Sequence, residues 1–263
     1  MSKVTLIALL AVVLLTGCGA GGPGTAGPSS PPPASSKPPP AGQDQPVSQW
    51  CMGAGENTDG VEQKLVTTGS GAEVMTMRVG TGPVTALLVH QTNGKGACGF
   101  LFFAQQLARS GVSAVTVDAC GYGRSDCPSD DTPAVLAELA NQARDEGAER
   151  VVLVGASMGG SLVTMAGPGA KADAVVNLSG PATFGPADLE RDAPLVTMPL
   201  LVVQSGEDIA DLDATRKIWD KIPAKRKQLV KQPNGHGYDF LRSDDPTKPT
   251  TGGRTVIDWV LKG

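Results

Sequence analysis

The sequence predicts one α/β domain in which a mostly parallel sheet is covered by helices on both faces. Short, nearly continuous apolar segments, such as Val84–His90 and Val151–Val154, are typical of strands buried on both faces. Segments with apolar residues at helical spacing, such as Gly99–Arg109, lie between them. Because the two kinds of segment alternate along the chain, parallel strands joined by crossover helices are expected.

Local patterns define the individual elements. Glu62–Thr67 and Glu73–Val79 are predicted to pair, because the segment between them is rich in turn residues. The other predicted strands are Val84–His90, Val112–Asp118, Val151–Val154, Ala174–Leu178, Leu200–Gln204 and Lys227–Lys231. The predicted helices are Gly99–Arg109, Pro133–Glu146, Ser161–Ala166, Asp213–Lys221 and Arg254–Lys262. No internal repeat is found, and no transmembrane helix is predicted after the leader.

The N-terminal residues have the pattern of an export signal. Lys3 precedes the apolar run Val4–Leu15, which is too short to span a bilayer, so residues 1–17 are predicted to be a signal peptide. The sequence ending at Cys18 resembles the bacterial lipobox, Leu-Thr-Gly-Cys. The resemblance implies cleavage before Cys18 and lipid on its thiol; the alternative is an ordinary signal with an incidental cysteine. We therefore expect an exported protein anchored to the outer face of a bacterial membrane.

Residues 18–47 are predicted to be a tether. They consist almost entirely of Gly, Pro, Ala and Ser, and such a segment cannot bury enough apolar surface to offset its ordering entropy. The proline triplets stiffen it into extended geometry. The folded domain is therefore predicted at residues 48–263, and we expect it to be monomeric.

The four cysteines after Cys18 predict two disulfides in an exported protein. Three pairings are possible. The short spacing of Cys120 and Cys127 favours that pair, which leaves Cys51 and Cys98 to hold the N-terminal segment. The four lack zinc-ligand spacing, so no metal site is predicted.

Charge and glycine spacing exclude two further classes of partner. The formal net charge is −4 and basic runs are absent, which argues against nucleic-acid binding. The glycines between Gly155 and Gly160 lack the spacing of a dinucleotide site, and no cofactor is predicted.

Ser157 is the first candidate catalytic residue. It stands in Gly-x-Ser-x-Gly, directly after an apolar strand and before a helix. A serine at such a turn is raised above the sheet beside free N–H groups at the start of a helix. The motif alone is common by chance in a chain with 34 glycines, and its context makes the functional interpretation the stronger one.

Polar residues follow several strands at the edge where parallel sheets bind substrates. They are His90 to Gly94, Asp118, Ser157, Glu207 with Asp208, and His236. The chain here resembles the α/β-hydrolase family, over essentially the whole predicted domain. The resemblance rests on the order Ser157, Asp208, His236, on Asp118 to Ser125 (Asp-x-x-Gly-x-Gly-x-Ser), on Asn234-Gly235-His236-Gly237, and on Val89-His90-Gln91, where Gln91 replaces the usual glycine. It implies about eight strands with helices on both faces.

The chemistry assigns a role to each residue. A serine hydroxyl needs a base to take its proton, and imidazole suits that task near neutral pH. His236, flanked by glycines in a loop, is the expected base, while His90 at a strand end is expected to be structural. A carboxylate must orient the base; the distance from the strand end favours Asp208 over Glu207. Two main-chain N–H groups, of Met158 and Gln91, are the expected oxyanion hole.

The interval between Leu178 and Leu200 is too short for a helical cap domain. The site is therefore expected to be open and to hydrolyse small or medium carboxylic esters. Two alternatives stay open: a peptidase or acyltransferase using the same three residues, and a binding lipoprotein that keeps the architecture without turnover.

Overall fold

The computed structural model describes residues 45–52, 56–92, 96–206, 208, 212–243, 245 and 247–263. The predicted signal peptide and lipidated Cys18, and most of the predicted tether, lie outside these residues, as does Glu207. The strands are β1 Val61–Thr67, β2 Glu73–Val79, β3 Val84–Val89, β4 Val112–Val117, β5 Arg150–Ala156, β6 Ala174–Leu178, β7 Thr183–Phe184, β8 Ala187–Asp188, β9 Leu200–Ser205 and β10 Lys227–Gln232.

The α-helices are α1 Val47–Trp50, α2 Leu101–Arg109, α3 Thr132–Asp145, α4 Met158–Gly169, α5 Leu189–Asp192, α6 Leu212–Trp219 and α7 Thr251–Lys262. Three-residue to five-residue 3₁₀ helices span Gly96–Phe100, Ala193–Leu195 and Gly237–Leu241. α3 begins at Thr132, one residue before the predicted start, because Asp131 caps it, its carboxylate accepting the N–H of Ala134 at 3.1 Å.

Within the described part of the chain, eight strands form one sheet in the order β1-β2-β4-β3-β5-β6-β9-β10. β2 pairs antiparallel with both β1 and β4, and every other neighbouring pair is parallel. The predicted α/β fold with a mostly parallel sheet is confirmed.

The central strands bury both of their faces, as their continuous apolar sequences predict. Leu88 and Val154 point to a core shared with α1, α2 and α7. Leu87 and Leu153 point to the opposite core, against α3 and α4. Two covered faces leave the carboxyl ends of the parallel strands as the edge where loops can form a site.

The connection from β6 to β9 is compact. It contains the two-residue strands β7 and β8, the single turn α5 and the 3₁₀ helix Ala193–Leu195. This segment is far smaller than a cap domain, so the prediction that no large cap is inserted between β6 and β9 is confirmed.

Candidate active site

Ser157 occupies a tight turn between β5 and α4. Its backbone torsions, φ 50° and ψ −117°, lie in a region that residues with a Cβ rarely adopt. The turn is held at both ends: the N–H of Ser157 donates to the carbonyl of Leu178 at 2.7 Å, and its own carbonyl accepts from Gly160 at 2.8 Å. Ser157 is therefore held in a strained turn at the strand-to-helix junction, the position where the sequence predicts the nucleophile.

The two glycines of the motif are required by close backbone packing. A Cβ on Gly155 would lie 2.1 Å from the carbonyl oxygen of Gly159. A Cβ on Gly159 would lie 2.1 Å from the carbonyl oxygen of Val89. The start of α4 therefore rests directly on the end of β3, which brings the residues after β3 beside Ser157.

His236 and Asp208 are hydrogen-bonded partners. Nδ1 of His236 lies 2.6 Å from Oδ1 of Asp208. The Asp208 side chain is completely buried, whereas 24% of the His236 side chain is exposed. Since Nδ1 faces the carboxylate, Nε2 is the ring nitrogen left to accept a proton.

The loop carrying His236 packs against the serine turn. Gly235 and Gly237 on either side of His236 have φ of 96° and 59°, values that glycine adopts without strain. A Cβ on Gly237 would come 3.3 Å from that of Ala156, the residue before Ser157. Residues far apart in sequence are thus brought to one place at the carboxyl edge of the sheet.

The two amides predicted to bind an oxyanion lie on either side of this junction. Met158 is the first residue of α4, and Gln91 follows the end of β3. Among the described residues, neither amide donates to another protein acceptor. The side chain of Gln91 has a contact that the sequence did not predict: its Oε1 accepts the N–H of Tyr238 at 3.3 Å.

A second contact missed at the sequence level involves Ser179, the residue after β6. Its hydroxyl donates a hydrogen bond to Oδ2 of Asp208. Ser179 is fully buried and has a positive φ of 58°. No motif marks this serine; the signal that could have identified it is its place at the end of the strand that neighbours β9.

Comparison with known proteins identifies the family. A model described as the alpha/beta hydrolase family matches residues 86–259, which include Ser157, Asp208 and His236. This chain belongs to the alpha/beta hydrolase family. No protein with a curated description matches the sequence.

Solved structures similar to this alpha/beta hydrolase include two esterases. An esterase from Exiguobacterium antarcticum is 14% identical with a TM-score of 0.63, covering 76% of this chain and 100% of its own. An esterase from Pyrococcus furiosus is 13% identical with a TM-score of 0.59, and the match covers 67% of this chain and 82% of the esterase. A serine hydrolase without a lid from Xanthomonas campestris is 18% identical with a TM-score of 0.52, and the match covers 68% of this chain and 86% of that protein. At these identities the likeness shows a shared fold.

Both ring nitrogens of His90 in this alpha/beta hydrolase are hydrogen-bonded to main-chain groups. Its Nε2 accepts the N–H of Ala119 at 3.1 Å, so Nδ1 carries the proton and donates to the carbonyl of Gln91 at 2.8 Å. The ring also packs edge-on against Tyr122, with centroids 5.4 Å apart. Burial lowers the pKa of His90, which favours the neutral ring. These contacts make His90 a brace for the loop after β3.

Asp118 organises the loop that follows β4. Its two carboxylate oxygens accept the N–H groups of Ala97 at 2.7 Å and Arg124 at 2.9 Å. A Cβ on Gly96 or Gly123 would lie 2.4 Å or 2.2 Å from this carboxylate. The buried Arg124 donates in turn to the carbonyl of Gln45 at 2.9 Å and stacks on Trp50. The Asp118 loop is therefore structural.

Both predicted disulfides are present in the structure. Cys51 bonds to Cys98, and Cys120 bonds to Cys127. The first joins the residue after α1 to the 3₁₀ helix that follows the Gln91 loop, and the second closes the loop after Asp118. Both bonds therefore brace segments at the carboxyl edge of the sheet.

Neither a metal-binding cluster nor a membrane-spanning helix is found among the described residues. No group of three or more His, Cys, Asp or Glu side chains there is arranged to hold a metal ion. No helix among them has the length and apolar character needed to cross a bilayer.

Proposed function

We propose that this alpha/beta hydrolase is a serine hydrolase that cleaves carboxylic esters through Ser157, His236 and Asp208. The observation that carries the proposal is the 2.6 Å contact between His236 Nδ1 and Asp208 Oδ1, on a loop packed against the Ser157 turn. Esterases among proteins of similar fold support the same reaction class.

The reaction follows from these positions. Asp208 holds the His236 tautomer whose Nε2 accepts the Ser157 proton as Oγ attacks the ester carbonyl. The main-chain N–H groups of Met158 and Gln91 receive the developing oxyanion; loss of one such donor typically costs about 100- to 1,000-fold in turnover. His236 then protonates the departing alcohol. The same imidazole activates the water that hydrolyses the acyl-enzyme and regenerates the hydroxyl.

The substrate is proposed to be a small or medium ester. The segment between β6 and β9 contains two short strands, one helical turn and one 3₁₀ turn, and provides no lid to enclose a long acyl chain. The same openness gives the reacting serine access to esters presented from solution.

Export and lipid attachment at Cys18 complete the proposal. The leader and lipobox pattern of residues 1–18 support it, as do the two disulfides of the domain, which suit an oxidising compartment. A chain labelled in a bacterial host with a fatty-acid analogue should incorporate the label, and the Cys18→Ala variant should not.

Hydrolysis of p-nitrophenyl esters of increasing acyl length tests the function. Residues 45–263, with both disulfides intact, should turn over short and medium esters and react with a fluorophosphonate probe at Ser157. Ser157→Ala should lose both activities, whereas Ser161→Ala, one turn along α4, should retain them. A folded wild-type protein without turnover or labelling would contradict the proposal and favour a binding lipoprotein. Faster cleavage of peptide bonds than of esters would favour a peptidase.

A further inference from the structure

Ser179 occupies a demanding backbone position. It follows β6 with a φ of 58°, one of three residues other than glycine with positive φ among the described residues. Its N–H donates to the carbonyl of Val203 in β9 at 2.9 Å, so its main chain is fixed to the strand that leads to Asp208. Strained positions of this kind persist only where the surrounding structure determines them, and they cluster at functional sites.

The Ser179 hydroxyl and the His236 ring bind different oxygens of the same carboxylate. Ser179 Oγ donates to Oδ2 of Asp208, while Oδ1 lies 2.6 Å from His236 Nδ1. The Ser179 residue and the Asp208 side chain are both completely buried, so water does not compete for this bond. A hydrogen bond at one oxygen restricts the rotation of the carboxylate, so its second oxygen keeps a fixed direction.

We propose that Ser179 is a positioning residue that holds the Asp208 carboxylate in the orientation from which it binds His236. This role rests on the proposed function, because it acts through the acid and the base of that reaction. Asp208 follows the last residue of β9 by three positions, and the main chain of Ser179 is bonded to β9 directly. The serine therefore transfers the rigidity of the sheet to the acid.

Variants at position 179 separate the hydroxyl from the backbone. Ser179→Gly removes the hydroxyl and suits the positive φ, so it should fold as well as the wild type. We expect kcat for p-nitrophenyl esters to fall about 10- to 100-fold with KM unchanged, as for loss of a hydrogen bond to a charged group. Ser179→Ala, which keeps the Cβ and removes only the hydroxyl, should show the same fall in kcat as Ser179→Gly. Ser161→Ala loses a buried hydroxyl bonded to the Pro181 carbonyl and should stay within about twofold of wild type.

A double-mutant cycle and a spectroscopic measurement decide how Ser179 acts. In an Asp208→Ala background, Ser179→Gly should cause no further loss of kcat, because the group it positions is gone. In proton spectra, Ser179→Gly should shift or broaden the His236 Nδ1–H resonance and leave that of His90 unchanged. The two histidines of the chain are assigned by replacing each with glutamine.

The outcomes distinguish the two proposals. Unchanged kcat in folded Ser179→Gly, or an equal loss with and without Asp208, would overturn the positioning role while leaving the serine hydrolase intact. Wild-type turnover that persists in Ser157→Ala would overturn the proposed function, and the positioning role with it.

Discussion

Gln91 and Tyr238 are 147 residues apart in sequence, yet Oε1 of Gln91 accepts the main-chain N–H of Tyr238 at 3.3 Å. Gln91 belongs to the loop after β3, and Tyr238 follows the His236 loop. The same oxygen lies so close to Gly237 that a Cβ there would approach it to 2.1 Å. One side chain therefore connects the segment proposed to bind the oxyanion with the segment that carries the proposed base.

Gln91→Met should weaken this connection while keeping the length of the side chain. Loss of a neutral hydrogen bond costs about 0.5–1.5 kcal/mol, so we expect kcat/KM for p-nitrophenyl esters to fall about 2- to 12-fold. Gln105→Met is the matched control, because Gln105 bonds to the carbonyl of Asp59, away from the site. Equal kinetics for the two variants would show that the Gln91 side chain does not support the site.

Asp118→Asn should destabilise the fold, because Asp118 is fully buried and accepts two main-chain N–H groups beside the buried Arg124. Burial lowers the pKa of Arg124, and the negative charge of Asp118 opposes that shift. Asparagine would replace one acceptor oxygen with an NH2 donor and leave one of these buried N–H groups without a partner, so we expect a loss of about 1–3 kcal/mol in the free energy of unfolding in urea. Asp130→Asn, which alters an exposed aspartate of the same region, should change the free energy of unfolding by less than about 0.5 kcal/mol. A loss below about 1 kcal/mol at position 118 would contradict the assigned role.

The two disulfides should contribute unequally to stability. Cys51 and Cys98 are separated by 47 residues, and Cys120 and Cys127 by 7. Loop-closure entropy predicts about 4 kcal/mol for the longer loop and about 2.4 kcal/mol for the shorter one. Paired Cys→Ser variants, compared by urea unfolding, should therefore lose more stability at the first site. A larger loss of stability at the second site would mean that the Cys120–Cys127 bond stabilises the loop after Asp118 by more than the entropy of loop closure.

His90 should make stability depend on pH in the mildly acidic range. Its folded-state pKa lies below the ordinary value of 6.5 because the ring is buried, so the unfolded chain binds the proton more readily. The stabilisation is complete above about pH 6.5 and decreases as the pH falls from there towards the folded-state pKa. His90→Asn should be less stable at neutral pH and should lose less stability between pH 7 and 5 than wild type. His236→Asn is the control, and parallel pH curves for wild type and His90→Asn would exclude this role.

Much of the fold could be predicted because its central strands are buried on both faces and therefore have continuous apolar sequences. The bounds of β2 and β6 match their predictions residue for residue. α4 begins at Met158 rather than at the predicted Ser161, because Gly159 and Gly160, weak helix formers, are held in the helix by packing against β3 and Asn177. The two-residue strands β7 and β8 are too short to show any periodicity.

The parts of the site that could not be predicted depend on contacts between distant segments. Local motifs and chain order predict roles for Ser157, His236 and Asp208, whereas the Ser179 hydrogen bond requires β6 and β9 to be neighbours in the sheet. The composition around Val47 predicts that it belongs to the tether, yet it begins α1 and packs into the core. Composition averages over a segment and cannot show which single apolar side chain is buried.

The bond between Cys51 and Cys98 also determines how the domain would carry a mechanical load. Tension applied to the chain before Cys51 passes through the two sulfur atoms to Cys98 and enters the domain at the 3₁₀ helix before α2. β1, β2 and β3 all lie within the closed covalent ring and are bypassed. Without this bond, a pull from the N-terminus would first peel the outermost strand, β1, from the sheet. The intact disulfide therefore shields β1 from force.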